Sequence, residues 1–170
     1  VEYVLEKEGD SAAVIAEPVR SIPSVPRPEY WQIIRAACDR HGTLLIFDAI
    51  PHAPGRTGRW FPCEQSPVVP DMLVLAKGLG YDLNTAALLA RDNLHVAATR
   101  ALGHSTHEKN PVLCAAALAP LNVIETHGLL RHAQTLGAYA LERMTAMMQR
   151  HPLIGDGRGL GLLLGMPATV

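Results

Sequence analysis

The stretch Pro70-Asp-Met-Leu-Val-Leu-Ala-Lys-Gly-Leu-Gly80 decides how the rest of the chain is read. Met72 to Ala76 are five apolar residues without a polar break, the length of a strand buried on both faces rather than of a helix. The run closes on Lys77, followed by Gly78 and Gly80, which let the backbone turn tightly around something bulky. A lysine placed directly behind a buried strand costs free energy unless it has a partner or a task. Burial would penalise the ammonium, and the neutral amine is a nucleophile toward aldehydes. The alternative is a strand-end lysine whose charged tip reaches solvent.

Working outward, the same pattern recurs. Residues 12–16 form an apolar run stopped at Glu17-Pro18, residues 44–47 another that ends on Asp48, and residues 86–90 a fourth. A proline-rich loop follows the first run. From Glu29 to His41, Trp31, Ile34, Ala37 and Cys38 recur at helical spacing, with Gly42 as the stop. Residues 51–70 are a long loop, in which Gly55-Arg56-Thr57-Gly58 lacks the spacing of a nucleotide phosphate loop and reads as a tight turn. Short apolar strands separated by a helix or long loops indicate an α/β fold with a largely parallel sheet. Ligands collect at the carboxyl ends of such strands, and Glu17, Asp48 and Lys77 stand at three of them. A carboxylate there can keep a pyridinium nitrogen protonated, and a protonated ring is an electron sink. The plainer role for Asp48 is a turn or cap.

Beyond residue 94 the character becomes helical. Asn110-Pro111 reads as an N-cap with proline at the first helical position, opening a helix to about His127 with Pro120 inside it. Gly128 separates this from a second helix over roughly 129–150. There Leu129, Leu130, Ala133, Leu136, Ala140, Leu141, Met144 and Met148 share a face. The tail from Gly155 to Gly165 reads as a glycine-punctuated strand opening another subdomain.

The 170 residues suffice for one core; 48% are hydrophobic and 18% charged, and the net charge of −1 gives no reason to expect nucleic acid or a membrane surface. Val1 is not Met, and upstream residues are expected to be missing. Cys38, Cys63 and Cys114 lack CxxC spacing and are expected as reduced thiols in a cytoplasmic protein. His104, His107 and Glu108 form no zinc motif, so no metal is expected. The eight histidines are expected mostly on the surface or at caps.

Together, Ala13-Val-Ile-Ala-Glu-Pro-Val19, Leu45-Ile-Phe-Asp48, Gly55-Arg-Thr-Gly-Arg-Trp-Phe61, Pro70 to Gly80, Asn110-Pro111 and Gly159-Leu-Gly161 resemble the class III aminotransferases, of the aspartate-aminotransferase-like fold. Thr106-His-Glu-Lys-Asn-Pro111 and Ile50-Pro51 look like a subgroup that includes amino-acid racemases or epimerases. The resemblance implies pyridoxal 5'-phosphate (PLP) as cofactor, held as a Schiff base on Lys77. Asp48 is implied at the pyridine nitrogen, Ile50 on the ring face and Glu17 near the substrate entrance. Thr106 is implied as a donor to the cofactor phosphate of a neighbouring subunit in a homodimer with a shared active site. It further implies an amino-acid or amine substrate and a keto-acid co-substrate, with transamination or racemisation as the reaction. Residues 1–127 would be part of the PLP-binding large domain, and 128–170 the interdomain helix and start of the small C-terminal α+β domain. Ala49 and Pro51 stand where the family has Glu and Gln. The upstream phosphate loop and ring-stacking aromatic lie outside the sequence. The alternative is therefore a truncated, non-catalytic relative acting in dimerisation or interaction.

Overall fold

The computed structural model describes residues 1–81, 83–96 and 106–169. A short helix α1 (Glu2–Glu8) precedes β1 (Ala13–Ala16), α2 (Pro28–His41), β2 (Leu44–Asp48), β3 (Met72–Leu75) and β4 (Ala87–Ala90). Then come the helices α3 (Pro111–Thr126) and α4 (Leu129–Met148) and the strands β5 (Arg158–Leu160) and β6 (Leu163–Gly165). The first four strands form one sheet in the order β1-β2-β3-β4. Pairings β1–β2 and β2–β3 are parallel, with Ala16 opposite Phe47 and Asp48 opposite Val74; β4 returns antiparallel to β3. The expected α/β architecture with a mostly parallel sheet is therefore present.

One face of the sheet is closed by α2. Pro28 stands at the helix start, where its missing N–H costs nothing, and Gly42 ends it in the left-handed conformation at φ 65°. Trp31, Ile34, Ala37 and Cys38 are its buried face. They meet Leu45, Phe47, Leu73 and Leu75 in a single core, with Trp31 edge-on to Phe47 at 4.6 Å between ring centroids. The Trp31 indole N–H also donates to the Pro18 carbonyl at 2.9 Å, which pins the proline-rich loop behind β1. Ile46, Asp48, Val74 and Leu88 belong to the opposite rows of the pleat, and this face is open: Ile15 is 66% and Leu88 60% exposed.

The helical half follows the reading with two corrections. Asn110 caps α3, its side-chain oxygen accepting from the Val112 N–H at 2.9 Å, and Pro120 sits inside a continuous helix although it has no N–H for the Ala116 carbonyl. On α4 the buried residues are Ala133 and Gly137, while Leu129 and Leu136 are exposed. Gly137 was not expected on that face. It is required there because a Cβ would collide with the Gly161 carbonyl. The tail is a hairpin of β5 and β6 rather than one strand. Gly161, at φ 56°, turns the chain and rests against the backbone of Arg56, Thr57 and Gly58, and the Leu162 N–H donates to the Arg56 carbonyl at 2.9 Å. No single helix among the described residues is long and apolar enough to cross a membrane.

Candidate active site

Because β1, β2 and β3 run parallel in adjacent positions, their carboxyl ends open on one edge of the sheet. Neighbouring strands lie about 4.8 Å apart, so Glu17, Asp48 and the turn at Lys77 are brought side by side. Asp48, on the middle strand, is half-buried on the open face, and its Oδ1 accepts the Ile50 N–H at 3.0 Å. The turn role considered for this aspartate is thus real, and it uses one carboxylate oxygen. The ladder continues one residue further, the Ala49 N–H donating to the Val74 carbonyl at 3.0 Å. Ile50 is half-buried beside Asp48. Glu17 is also half-buried, and its Oε2 accepts the Ser21 N–H at 2.8 Å.

Lys77 opens a short 3-10 turn, Lys77–Leu79, beyond the end of β3. Its φ of 47° places a non-glycine residue in the left-handed region, a strained conformation of the kind that persists where surrounding structure enforces it. The turn is locked by the Leu79 N–H on the Ala76 carbonyl, and Gly80 packs against Thr85 and the Leu83 carbonyl where a Cβ would not fit. The side chain of Lys77 is exposed. Of the two placements weighed from the sequence, a buried amine and a tip that reaches solvent, the structure has the second: the left-handed turn takes the residue off the strand end, out of the apolar layer formed by Leu73 and Leu75.

A residue that the sequence reading passed over stands among these groups. His52 is 2% exposed, and neither ring nitrogen has a hydrogen-bond partner. Burial pushes its imidazole below the usual histidine range; the Glu17 and Asp48 carboxylates and the Arg20 backbone oppose this, and the Lys77 ammonium adds to the lowering. The Arg20 backbone is close without meeting hydrogen-bond geometry. All three strand-end charges therefore act on one buried ring. The available signal was its position, four residues past Asp48 in a turn flanked by Pro51 and Ala53.

Two cavities flank the cluster. One of about 840 Å³ lies between Lys77, Arg56 and Tyr81 on one side and Pro120 and Ile124 of α3 on the other; a second, of about 500 Å³, is lined by Glu17, Arg20, Tyr30 and Trp31. Asp48 lines neither of them. Thr106 is exposed in the turn before α3, and among the described residues no hydrogen bond or ion pair joins it to the strand-end group. His104 lies outside the described residues, and no cluster of potential metal ligands occurs among those described.

A mostly parallel α/β sheet with an amine and a carboxylate at its carboxyl edge is the class of fold that binds small ligands at its strand ends, and comparison with known proteins narrows it. The profile of the class III aminotransferases matches residues 1–169, and the chain belongs to that family. It is 46% identical over 168 residues to an (R)-1-hydroxy-2-aminoethylphosphonate ammonia-lyase of Vibrio splendidus, covering 98% of this chain and 35% of that protein. It is 39% identical over 175 residues to a leucine/methionine racemase of Thermococcus litoralis, covering 98% of this chain and 39% of the relative. The taurine:2-oxoglutarate aminotransferase of Bifidobacterium kashiwanohense, solved in complex with PLP and glutamate, shares the fold with a TM-score of 0.92 at 24% identity. The match covers 99% of this chain and 39% of that one. The chain thus spans about two-fifths or less of the length of these proteins. Its family's cofactor is PLP. The residues present suit it: a lysine whose exposed side chain has no hydrogen bond or ion pair among the described residues, and a carboxylate with an oxygen to spare.

Proposed function

We propose that the chain carries the Lys77–Asp48 part of a PLP-dependent enzyme, a transaminase or amino-acid racemase or epimerase acting on an amino acid or small amine. The observation that carries the reading is the placement of Glu17, Asp48 and Lys77 side by side beyond the carboxyl ends of the adjacent strands β1, β2 and β3. Bound PLP supplies an electron sink for a bond broken at the amine-bearing carbon. Asp48 would hold the proton on the pyridine nitrogen, using its spare oxygen. The Lys77 amine would bind the cofactor covalently and then move the proton at the substrate α-carbon. Ile50, half-buried next to Asp48, would bear on the ring face, and Glu17 would border the entrance. Thr106 would serve the cofactor of a partner subunit, making the enzyme a homodimer. Residues 1–127 would belong to the large domain and 128–170 to the interdomain helix and small domain. The free thiols of Cys38, Cys63 and Cys114 support a cytoplasmic setting.

A second reading, release of ammonia from an amino-phosphonate, is favoured by the 46% identity to the Vibrio splendidus protein. The experiment is incubation with PLP, borohydride fixation and peptide mapping, followed by a substrate panel. An adduct at Lys77 supports the site; no adduct leaves the interaction-fragment reading. Turnover that needs a keto acid indicates transamination. Loss of optical activity without change in composition indicates racemisation, and ammonia released without an acceptor indicates the lyase.

A further inference from the structure

We propose that Arg56 is a specificity-determining residue that takes the oxyanion of the substrate, a carboxylate or phosphonate on a small amine, in the cavity it shares with Lys77. The proposal rests on the reading of Lys77 as the cofactor lysine. The cavity of about 840 Å³ has two cations on its wall, Arg56 and Lys77, and no aspartate or glutamate among the described residues that line it. Neither cationic side chain has a hydrogen bond or ion pair among the described residues. The rest of the wall is largely apolar, with Ala119, Pro120 and Ile124 of α3 opposite the Lys77 turn. Two unpaired positive charges against apolar walls repel each other and draw in an anion, because low-dielectric walls focus the field.

The roots of the two side chains are held together by backbone contact. A Cβ added to Gly78 would lie 3.5 Å from the Ala53 carbonyl oxygen and 3.6 Å from Pro54 Cδ, so the Lys77 turn rests on the loop that leads into Arg56. The same loop meets α3 and α4: a Cβ at Gly55 would lie 3.5 Å from Ile124 Cδ1 and 3.4 Å from Leu130 Cδ2. The Arg56 N–H donates to the His52 carbonyl at 3.1 Å, and the Arg56 carbonyl accepts the Leu162 N–H at 2.9 Å. The backbone of Arg56 is thus fixed, while the residue is exposed and its guanidinium has no partner among the described residues. A guanidinium presents a planar fork that matches a carboxylate or phosphonate through two parallel hydrogen bonds. Asp48 does not line this cavity, so a cofactor ring anchored on Asp48 leaves the space between Lys77 and α3 to the substrate. With Lys77 committed to the cofactor, Arg56 is the remaining cation on the cavity wall among the described residues. An amine without an anionic group would leave it unpaired; an amine carrying an oxyanion would be held by it within reach of Lys77.

The test uses the PLP-loaded protein and its R56K, R56Q and R59Q variants. Ethylphosphonate, propionate and uncharged propionamide are titrated as probes by calorimetry, and PLP retention is read from the visible band. The wild type is expected to bind at least one of the two anions and to bind propionamide far more weakly; the tighter anion identifies the substrate group as phosphonate or carboxylate. R56Q is expected to weaken that anion about thirtyfold, because a charged hydrogen-bond donor is lost, and R56K about fivefold, because the charge stays and the fork goes. Arg59 lines a different cleft, and R59Q is expected to stay within about twofold, since exposed charges at a distance are screened. PLP retention in R56Q is expected within about twofold of the wild type, because the cofactor's anchors lie elsewhere. Anion binding unchanged in R56Q, an equal loss in R59Q, or propionamide bound as tightly as the anions each overturn the proposal. A loss of PLP retention in R56Q that matches its loss of anion binding also overturns it, by assigning Arg56 to the cofactor phosphate. If R56Q does not fold, R56K decides, and an R56K that binds the anion as R59Q does overturns the proposal. A wild type that yields no borohydride-fixed Lys77 adduct sinks the site reading and this proposal together. A wild type that forms the adduct but binds neither anion, or binds it independently of Arg56, sinks this proposal alone.

Discussion

The two ends of the same strands hold two acidic residues in opposite conditions. At the amino ends of β2 and β3, Asp71 is surrounded by donors. The Leu45 N–H lies at 2.8 Å, Arg35 Nη1 at 2.6 Å and Arg91 Nε at 3.3 Å. Burial alone would raise its carboxyl, but the Leu45 N–H and the Arg35 guanidinium overcome this and hold it below the usual carboxylate range. At the carboxyl ends, Asp48 has one backbone donor, and the buried His52 has no hydrogen-bond partner. A carboxylate with both oxygens engaged locks strands, because the donors it needs are already in the chain. An unsaturated one gives up stability and keeps its hydrogen-bonding capacity for something else.

That contrast can be broken at either end. The largest effect is expected from Lys77→Ala, which should abolish the borohydride-fixed PLP adduct completely, read by mass spectrometry. An adduct that persists at Lys7 or Lys109 would remove Lys77 from the site. Next, Asp48→Ala should slow α-proton exchange by about a hundredfold or more while changing urea stability by only about 0.5 kcal/mol. Asp71→Ala should do the reverse. It should cost about 3 kcal/mol in urea unfolding by stranding the part-buried Arg35, with any residual turnover per folded molecule unchanged. A stability loss at Asp48 equal to that at Asp71 would erase the distinction.

The smallest effects lie in the pH dependence. The carboxyl of Asp71 is depressed in the folded state, so its contribution is complete above about pH 4 and is lost as pH falls through the lowered folded value. His52 is also depressed. Below about pH 6.5 the unfolded chain binds a proton that the folded one resists, so stability falls as pH drops from neutrality. Thermal melts between pH 7 and 5 should therefore flatten in His52→Gln, and melts below pH 4 should flatten in Asp71→Asn. A variant unchanged in its own window would show that another group titrates there.

Much of this arrangement was legible in the chain. Continuous apolar runs marked β1, β2 and β3 to within a residue, although only the face toward α2 is buried and the other, with Ile15 at 66% exposure, is open, and the polar residue closing each run marked the edge where ligands gather. The hairpin at 158–165 was read as one strand, since its turn at Gly161 is stabilised by Arg56 and Thr57, about a hundred residues earlier. Gly137 was missed for the same reason: what makes glycine necessary there is the Gly161 carbonyl, which no local pattern announces.

By itself, then, the sequence determined the class of fold, the family and the identity of the strand-end residues, because hydrophobic periodicity and motif order are local properties. Tertiary structure decided which of those residues share an environment. It exposed Lys77 through a left-handed turn and buried His52, which composition suggested should be at the surface. Burial and charge coupling depend on neighbours from β1, β2 and β3 at once, and those neighbours exist only when the sheet is formed.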